Sequence, residues 1–148
     1  MSRFGILKSF TFVVAQFLCL GLIAVTGPLF PTNGLLLTVE LLGLGLGVWA
    51  VLTMGIGNFN VAPDPFRWSR LVTRGPYRLI RHPMYLSLLL VTLPLVAAEF
   101  AAWRLVVWLV LLTDLLLKLN YEEGLLAARL TGYREYQQQS YRLIPFIF

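Results

Sequence analysis

The chain is poor in charged residues and has a single cysteine. Of its 148 residues, 13% are charged and 58% are hydrophobic. A soluble domain carries about 25% charged residues, so these charges are too few to cover a globular surface in water. The lone cysteine, Cys19, excludes an intrachain disulfide. We expect one domain over residues 1–148, with much of its surface facing lipid, and we expect no metal site.

Long apolar runs fill most of the sequence. No charged residue lies between Lys8 and Glu40, and about 20 apolar residues cross a hydrocarbon core of about 30 Å. Pro28, Pro31 and Asn33 with Gly34 divide this stretch into two helices. We predict an all-α integral membrane protein with four transmembrane helices in two hairpins and a C-terminal cytoplasmic amphipathic helix. The predicted spans are residues 10–30, 34–57, 84–100 and 103–121, with a cytoplasmic loop at 58–83 and the amphipathic helix at 122–139.

Smaller features refine this arrangement. The linker between the first two helices is very short, which predicts a tight antiparallel hairpin. Gly43 and Gly47 lie about one turn apart and would let a neighbouring helix approach closely. Glu40 falls near the outer end of the second span and is expected to be interfacial. Pro94 predicts a kink in the third span.

The basic residues indicate the orientation and the partners. The net charge is +5, and of the twelve basic residues only Arg104 falls on the predicted outer side. Both termini, the loop and the C-terminal helix are therefore expected to face the cytoplasm, in a multi-pass protein of a prokaryotic inner membrane. Basic residues placed between apolar runs favour contacts with membrane lipids over nucleic acid. The oligomeric state stays open.

An arginine-rich motif precedes the third span. Tyr77, Arg78, Arg81 and His82 converge just before a predicted helix N-terminus, where free N–H groups and the helix dipole favour an anion. Arginine adds bidentate donors for a carboxylate or a phosphate. The alternative is that these arginines only anchor the loop to lipid phosphates.

Acidic residues mark the end of the fourth span. Asp114, Lys118, Tyr121 and Glu122 lie on one stripe of a helix, and Glu123 is turned by about 100°. We expect Lys118 to pair with Asp114, and the two glutamates to bind the hydroxyl or ammonium groups of a ligand. The alternative is that the glutamates are only interfacial charges. Both motifs together predict a cytoplasmic pocket for a zwitterionic ligand.

The combined motifs resemble the isoprenylcysteine carboxyl methyltransferase family, whose wider superfamily includes the phospholipid methyltransferases. The resemblance covers about residues 58–145, while the first two helices match only in hydrophobicity. It rests on the stretches 71–78 and 81–85, on Asn58-Phe59, on Glu122-Glu123, and on Tyr133, Tyr136, Arg142 and Pro145.

This resemblance implies a methyltransferase that uses S-adenosylmethionine (AdoMet) at the cytoplasmic interface. The acceptor would be lipophilic or a small hydrophobic molecule, methylated on a carboxylate, thiol or amine. The chain has no recognisable extra helices for a farnesyl cavity, which favours an acceptor other than isoprenylcysteine. The implied cofactor-binding residues are Tyr77, Arg78, Arg81, His82, Tyr85, Glu122, Glu123, Tyr136 and Arg142, with Arg81, His82 and Glu122 as the candidate catalytic residues.

Two other functions stay open at this point. Sterol reductases use a similar Arg-His-Pro-x-Tyr stretch with NADPH, and a non-catalytic membrane protein could use the arginines to bind lipid headgroups. The paired Glu122 and Glu123 favour the methyltransferase over the reductase.

Overall fold

The structure is a computed structural model that describes residues 3–55 and 70–148. Those residues contain five α-helices and a short 3-10 helix, and no β-strand is found among them. The predicted all-α class is therefore confirmed. The helices are α1 (Arg3–Val25), α2 (Gly34–Met54), α3 (Pro83–Ala98), α4 (Ala102–Arg129) and α5 (Tyr133–Gln139), with the 3-10 helix at Gly75–Arg78.

The first two helices differ from the predicted spans at their ends. α1 begins at Arg3 because lysine and serine residues in its first turns are compatible with a helix. It ends at Val25, before the predicted end at residue 30, because Pro28 disfavours helical angles in the residue before it. Asn33 caps α2 by accepting hydrogen bonds from the next backbone N–H groups. Residues 56 and 57 of the predicted second span, the Asn58-Phe59 pair and the loop up to residue 69 lie outside the described residues.

The predicted boundary between the fourth span and the amphipathic helix is wrong. α4 continues through both glutamates to Arg129, because the residues after Glu123 include leucine and alanine, which are strong helix formers. The break comes instead at Gly132, whose φ of 82° lies in the left-handed region that favours glycine. Only the short α5 remains as a separate C-terminal helix, so Glu122 and Glu123 are held rigidly on the long α4.

Two of the described helices are long and apolar enough to cross a membrane. They are α1, from Leu7 to Val25, and α2, and only 22% and 17% of these stretches are buried within the protein. Their exposed side chains are large and hydrophobic, which is typical of a surface that faces lipid. α3 is apolar but shorter. α4 carries three charged residues in its first 17 positions, and all three are buried.

α2 packs along α3 through its glycine face. Ser87 donates a hydrogen bond of 2.8 Å to the carbonyl oxygen of Gly43. A Cβ added at Gly43 would lie 2.8 Å from Leu90 Cβ, and one at Gly47 would lie 2.5 Å from Ser87 Oγ. The predicted close approach at these glycines is confirmed. Glu40 shares this face and is 3% exposed, so its side chain is buried within the bundle.

α1 packs against α4 and α3, and the described residues of α1 and α2 share no extended interface. The predicted tight hairpin of the first two helices is therefore not found. Two buried polar contacts hold α1 to α4 instead. Lys118 Nζ donates to Gln16 Oε1 at 2.7 Å, and Arg104 Nη2 donates to the carbonyl oxygen of Ile23 at 3.2 Å. The expected pairing of Lys118 with Asp114 is thus replaced by a contact between helices.

Candidate active site

Two segments far apart in the sequence meet at the N-terminus of α3. Ile80 and Tyr141 form an isolated parallel bridge. The backbone N–H of Arg81 donates to the Tyr141 carbonyl oxygen at 2.8 Å, and that of His82 donates to the Arg142 carbonyl oxygen at 3.1 Å. The C-terminal segment is therefore fixed against the Arg81-His82 motif, as the sequence resemblance implied but hydrophobic periodicity could not show.

The turn before this motif is held against the end of α2. Gly75 has φ of 58°, and a Cβ there would lie 2.6 Å from Thr53 Oγ1, so both the backbone angle and the space favour glycine. The following 3-10 helix buries Tyr77, and the Tyr136 hydroxyl donates to the Tyr77 carbonyl oxygen. Tyr77 Oη is itself buried with no hydrogen-bond partner among the described residues.

Arg81 links α3, α4 and α5. Its Nε donates to Glu123 Oε1 at 2.6 Å, and its Nη1 donates to the carbonyl oxygens of Gln137, at 3.0 Å, and Ser140. The side chain is 7% exposed. A buried guanidinium is stable only when it is paired and hydrogen-bonded, and here both conditions are met.

Glu123 is the centre of the resulting ion network. Besides Arg81, it contacts Arg142 Nε at 3.2 Å, Gln137 Nε2 at 3.3 Å and His82 Nε2 at 3.4 Å. Burial alone would raise the pKa of Glu123, but its contacts with His82 and Arg81 and the positive charge of Arg81 outweigh burial and lower the pKa to about 2. Glu123 is therefore ionised and has its oxygens already occupied.

Glu122 is more accessible and has fewer partners. Its side chain is 24% exposed, compared with 5% for Glu123. Tyr85 Oη donates to Glu122 Oε2 at 2.6 Å, and His82 Nδ1 lies 3.8 Å from the same oxygen. A carboxylate can accept about four hydrogen bonds, so Glu122 has capacity left for a ligand.

His82 lies between the two carboxylates. Its ring stacks on Tyr85 with centroids 5.2 Å apart and planes 10° apart. The side chain is 6% exposed, and Nε2 has no well-formed hydrogen bond among the described residues. A buried polar atom without a hydrogen bond costs about 1–3 kcal/mol. His82 Nε2 and Tyr77 Oη are thus two buried polar atoms that the polar groups of a ligand would stabilise.

Arg78 lies apart from this network. It is exposed and lines a cavity of about 430 Å³. Tyr136 borders the same cavity, and burial, partly opposed by Arg81 and Ser140, raises the pKa of Tyr136 to about 12. The remaining lining residues are Leu71, Thr73, Gly132, Glu135 and Gln139.

The structure thus sorts the nine predicted site residues into three groups. Six of them form one contact network, namely Arg81, His82, Tyr85, Glu122, Glu123 and Arg142. Tyr77 and Tyr136 form an adjoining hydrogen-bonded pair, and Arg78 lies in the neighbouring cavity. Among the described residues, no group of three or more histidine, cysteine or acidic side chains could hold a metal ion.

Sequence reasoning missed two residues of the network. Gln137 contacts both Arg81 and Glu123, and Ser140 accepts from Arg81 through its carbonyl oxygen and, at 3.3 Å, its hydroxyl. A signal was present, because residues 137–140 are an uninterrupted polar run between Tyr136 and Arg142.

Comparison with known families decides the class of protein. Residues 33–131, more than half of the chain, match the family model described as phospholipid methyltransferase. The chain belongs to the phospholipid methyltransferase family. This membership confirms the family resemblance and indicates a methyltransferase for lipid-like substrates. No curated protein matches the chain.

The phospholipid methyltransferase match covers all of α2, α3 and α4. It therefore begins further upstream than the sequence motifs suggested, and it contains Arg81, His82, Tyr85 and both glutamates. α1 lies before the match, and the segment with Tyr136 and Arg142 lies after it. The site is consequently built from the matched region and from an adjoining C-terminal segment.

Proposed function

We propose that this phospholipid methyltransferase family member transfers a methyl group from AdoMet to a lipophilic or small hydrophobic acceptor. The acceptor nucleophile would be a carboxylate, a thiol or an amine, at the cytoplasmic surface of the membrane. The observation that supports this best is the convergence of Arg81, His82 and Glu122 within the region that matches the family.

The residues present fit AdoMet. Its amino-acid end carries a carboxylate and an ammonium group, and the network supplies two arginines and two glutamates. Glu122 would hold the ammonium group or a ribose hydroxyl, because Glu123 is already occupied by Arg81, Arg142 and Gln137. Arg142 is the more exposed arginine, with its side chain 38% exposed, and would be the first to exchange its partner for the ligand carboxylate.

When bound, AdoMet supplies an electrophilic methyl group on a sulfonium sulfur. The protein's part is to position the reactants and to keep water away, which favours a displacement in which charges cancel. An anionic acceptor, a carboxylate or a thiolate, needs no strong base. An amine must lose a proton, and His82 Nε2 or Glu122 would accept it.

We also propose that α1 to α4 each cross the membrane, with both termini cytoplasmic. Lys8 near the start of α1 lies 4.8 Å from the ring of Tyr121 near the site, so the basic N-terminus and the ion network share one end of the bundle. Arg104 lies at the other end, against the end of α1. This arrangement supports a position of the network at the inner membrane surface, in agreement with the bias of basic residues.

Calorimetry on the detergent-purified chain tests the cofactor. We expect AdoMet and S-adenosylhomocysteine to bind and NADPH not to bind. His82→Ala and Glu122→Gln should each weaken AdoMet binding, whereas the matched control Glu40→Gln, which is remote from the network, should not. Absence of binding by either adenosyl ligand, or equal effects of all three substitutions, would overturn the proposal. A screen of lipid extracts with radiolabelled AdoMet would then identify the acceptor class.

A further inference from the structure

A buried ammonium group lies one turn below the site, in the interior of the bundle. Lys118 is 1% exposed and precedes Glu122 by four residues on α4. Among the described residues its one hydrogen-bond acceptor is Gln16 Oε1 on α1, at 2.7 Å. Gln16 is 6% exposed, so both members of the pair are removed from lipid and water.

The same ammonium group contacts the aromatic residue that holds Glu122. Lys118 Nζ lies 5.3 Å from the centroid of the Tyr85 ring, a distance at which a cation is attracted to the ring face. Tyr85 Oη in turn donates to Glu122 Oε2 at 2.6 Å. A continuous chain of contacts therefore runs from Gln16 through Lys118 and Tyr85 to Glu122.

Stability alone does not account for this arrangement. Replacing a buried polar or ionic group with apolar side chains is often neutral or stabilising, and charged residues within membrane helices are costly and typically functional. The nearby Asp114 has a buried carboxylate oxygen with no hydrogen-bond partner in the described part of the chain. Lys118 is directed instead to a neutral acceptor on another helix and to the ring beside the site.

We infer that Gln16 and Lys118 are positioning residues, which fix Tyr85 and through it the ligand-facing Glu122. This inference rests on the proposed AdoMet site. It assigns a role in the site to α1, which lies outside the region that matches the family. The pair would set the affinity for the adenosyl ligand without contacting it.

A double-mutant cycle tests the inference, with the Kd for S-adenosylhomocysteine measured by calorimetry on the full chain. We expect Gln16→Leu to raise the Kd about tenfold. Tyr85→Phe, which removes the hydroxyl that holds Glu122, should also raise it. In the Tyr85→Phe background, Gln16→Leu should change the Kd by less than about twofold, because the contact through which it acts is already lost.

Two further variants separate positioning from general stabilisation. Gln16→Glu keeps an oxygen acceptor for Lys118 and should retain the wild-type Kd within about twofold. Thr113→Val is the control on α4, since this exposed hydroxyl bonds only within its own helix, and it should leave the Kd unchanged.

Lys118→Met takes the place of Gln16→Leu in the cycle if the latter variant does not fold. It removes the ammonium group that links Gln16 to the Tyr85 ring. We expect it to raise the Kd about tenfold in the otherwise wild-type chain. In the Tyr85→Phe background, it should raise the Kd by less than about twofold relative to Tyr85→Phe alone.

The outcomes are distinct. A Gln16→Leu variant that melts at a lower temperature but keeps the wild-type Kd overturns the inference, as does an equal loss of affinity with and without the Tyr85→Phe change. Either result would leave the proposed function intact. If the wild-type chain binds no S-adenosylhomocysteine, the proposed function and this inference fall together.

Discussion

Glu123→Gln is the sharpest test of the ion network. The substitution keeps the shape of the side chain and removes the negative charge that faces Arg81, Arg142 and His82. A buried guanidinium is then left without its carboxylate, and breaking such a pair costs about 3–5 kcal/mol. The lowered pKa of Glu123 gives a similar figure. A fall from 4.5 to about 2 corresponds to about 3 kcal/mol at about 1.36 kcal/mol per pKa unit.

Thermal unfolding of the purified chain in detergent measures this loss. At neutral pH, a cost of about 3 kcal/mol lowers the midpoint of a chain of this size by roughly 10 °C. Glu135→Gln is the matched control, because Glu135 is an exposed carboxylate on α5 outside the ion network. We expect it to unfold within about 1–2 °C of the wild type.

The pH dependence of the unfolding midpoint provides a second test of the ion network. Because the pKa of Glu123 is lower in the folded chain than its ordinary value of 4.5, its stabilising contribution is complete above about pH 4.5. The contribution is lost as the pH falls toward 2. The difference in midpoint between wild type and Glu123→Gln should therefore shrink over this range. Equal midpoints at neutral pH, or a difference that persists at low pH, would refute the ionised network.

Two further predictions concern the helix contacts that carry the site. Gly43→Ala should destabilise the chain by about 1–3 kcal/mol, because the added Cβ would lie 2.8 Å from Leu90 Cβ and 3.0 Å from the Val91 backbone nitrogen. The control Gly45→Ala should not destabilise the chain, because a Cβ there meets no atom within 4 Å. Equal melting curves for the two variants would contradict the packing of α2 on α3. Arg104→Leu should lower the unfolding free energy by about 1–3 kcal/mol through loss of its bonds to backbone carbonyls. Its affinity for S-adenosylhomocysteine should stay that of the wild type, since Arg104 lies at the far end of the bundle, and a large loss of affinity would contradict this placement.

The helices could be predicted from the sequence because their signals are local. The length of the apolar runs and the dividing residues Pro28, Pro31 and Asn33 with Gly34 all act within a few residues. The pairing of the helices could not be predicted in the same way. The short linker suggested that α1 packs on α2, but the glycines at 43 and 47 hold α2 to α3, and a buried lysine holds α1 to α4.

The part of the candidate site that lies in recognisable sequence motifs could be predicted from the sequence. Arg81, His82 and Glu122 were identified from the sequence, and the structure brings them into one contact network. Gln137 and Ser140 were missed because they act largely through backbone carbonyl oxygens, which any residue type can offer. The burial of Glu40 was not predicted, because it depends on the helix face that Glu40 shares with Gly43 and Gly47.

The balance of charges explains why such a site suits both the membrane surface and a zwitterionic ligand. Arg81 and Arg142 both contact Glu123, and Glu122 completes a set of two arginines and two glutamates. These four side chains together carry no net charge where the dielectric constant is low. A ligand's carboxylate can take Arg142 while Glu123 keeps Arg81, and its ammonium group can pair with Glu122, so that every charge is paired. A simple anion would pair with Arg142 but would supply no cation for Glu122, which has no arginine partner among the described residues. The charges of the network would therefore also favour the amino-acid end of the proposed ligand, AdoMet, over a phosphate alone.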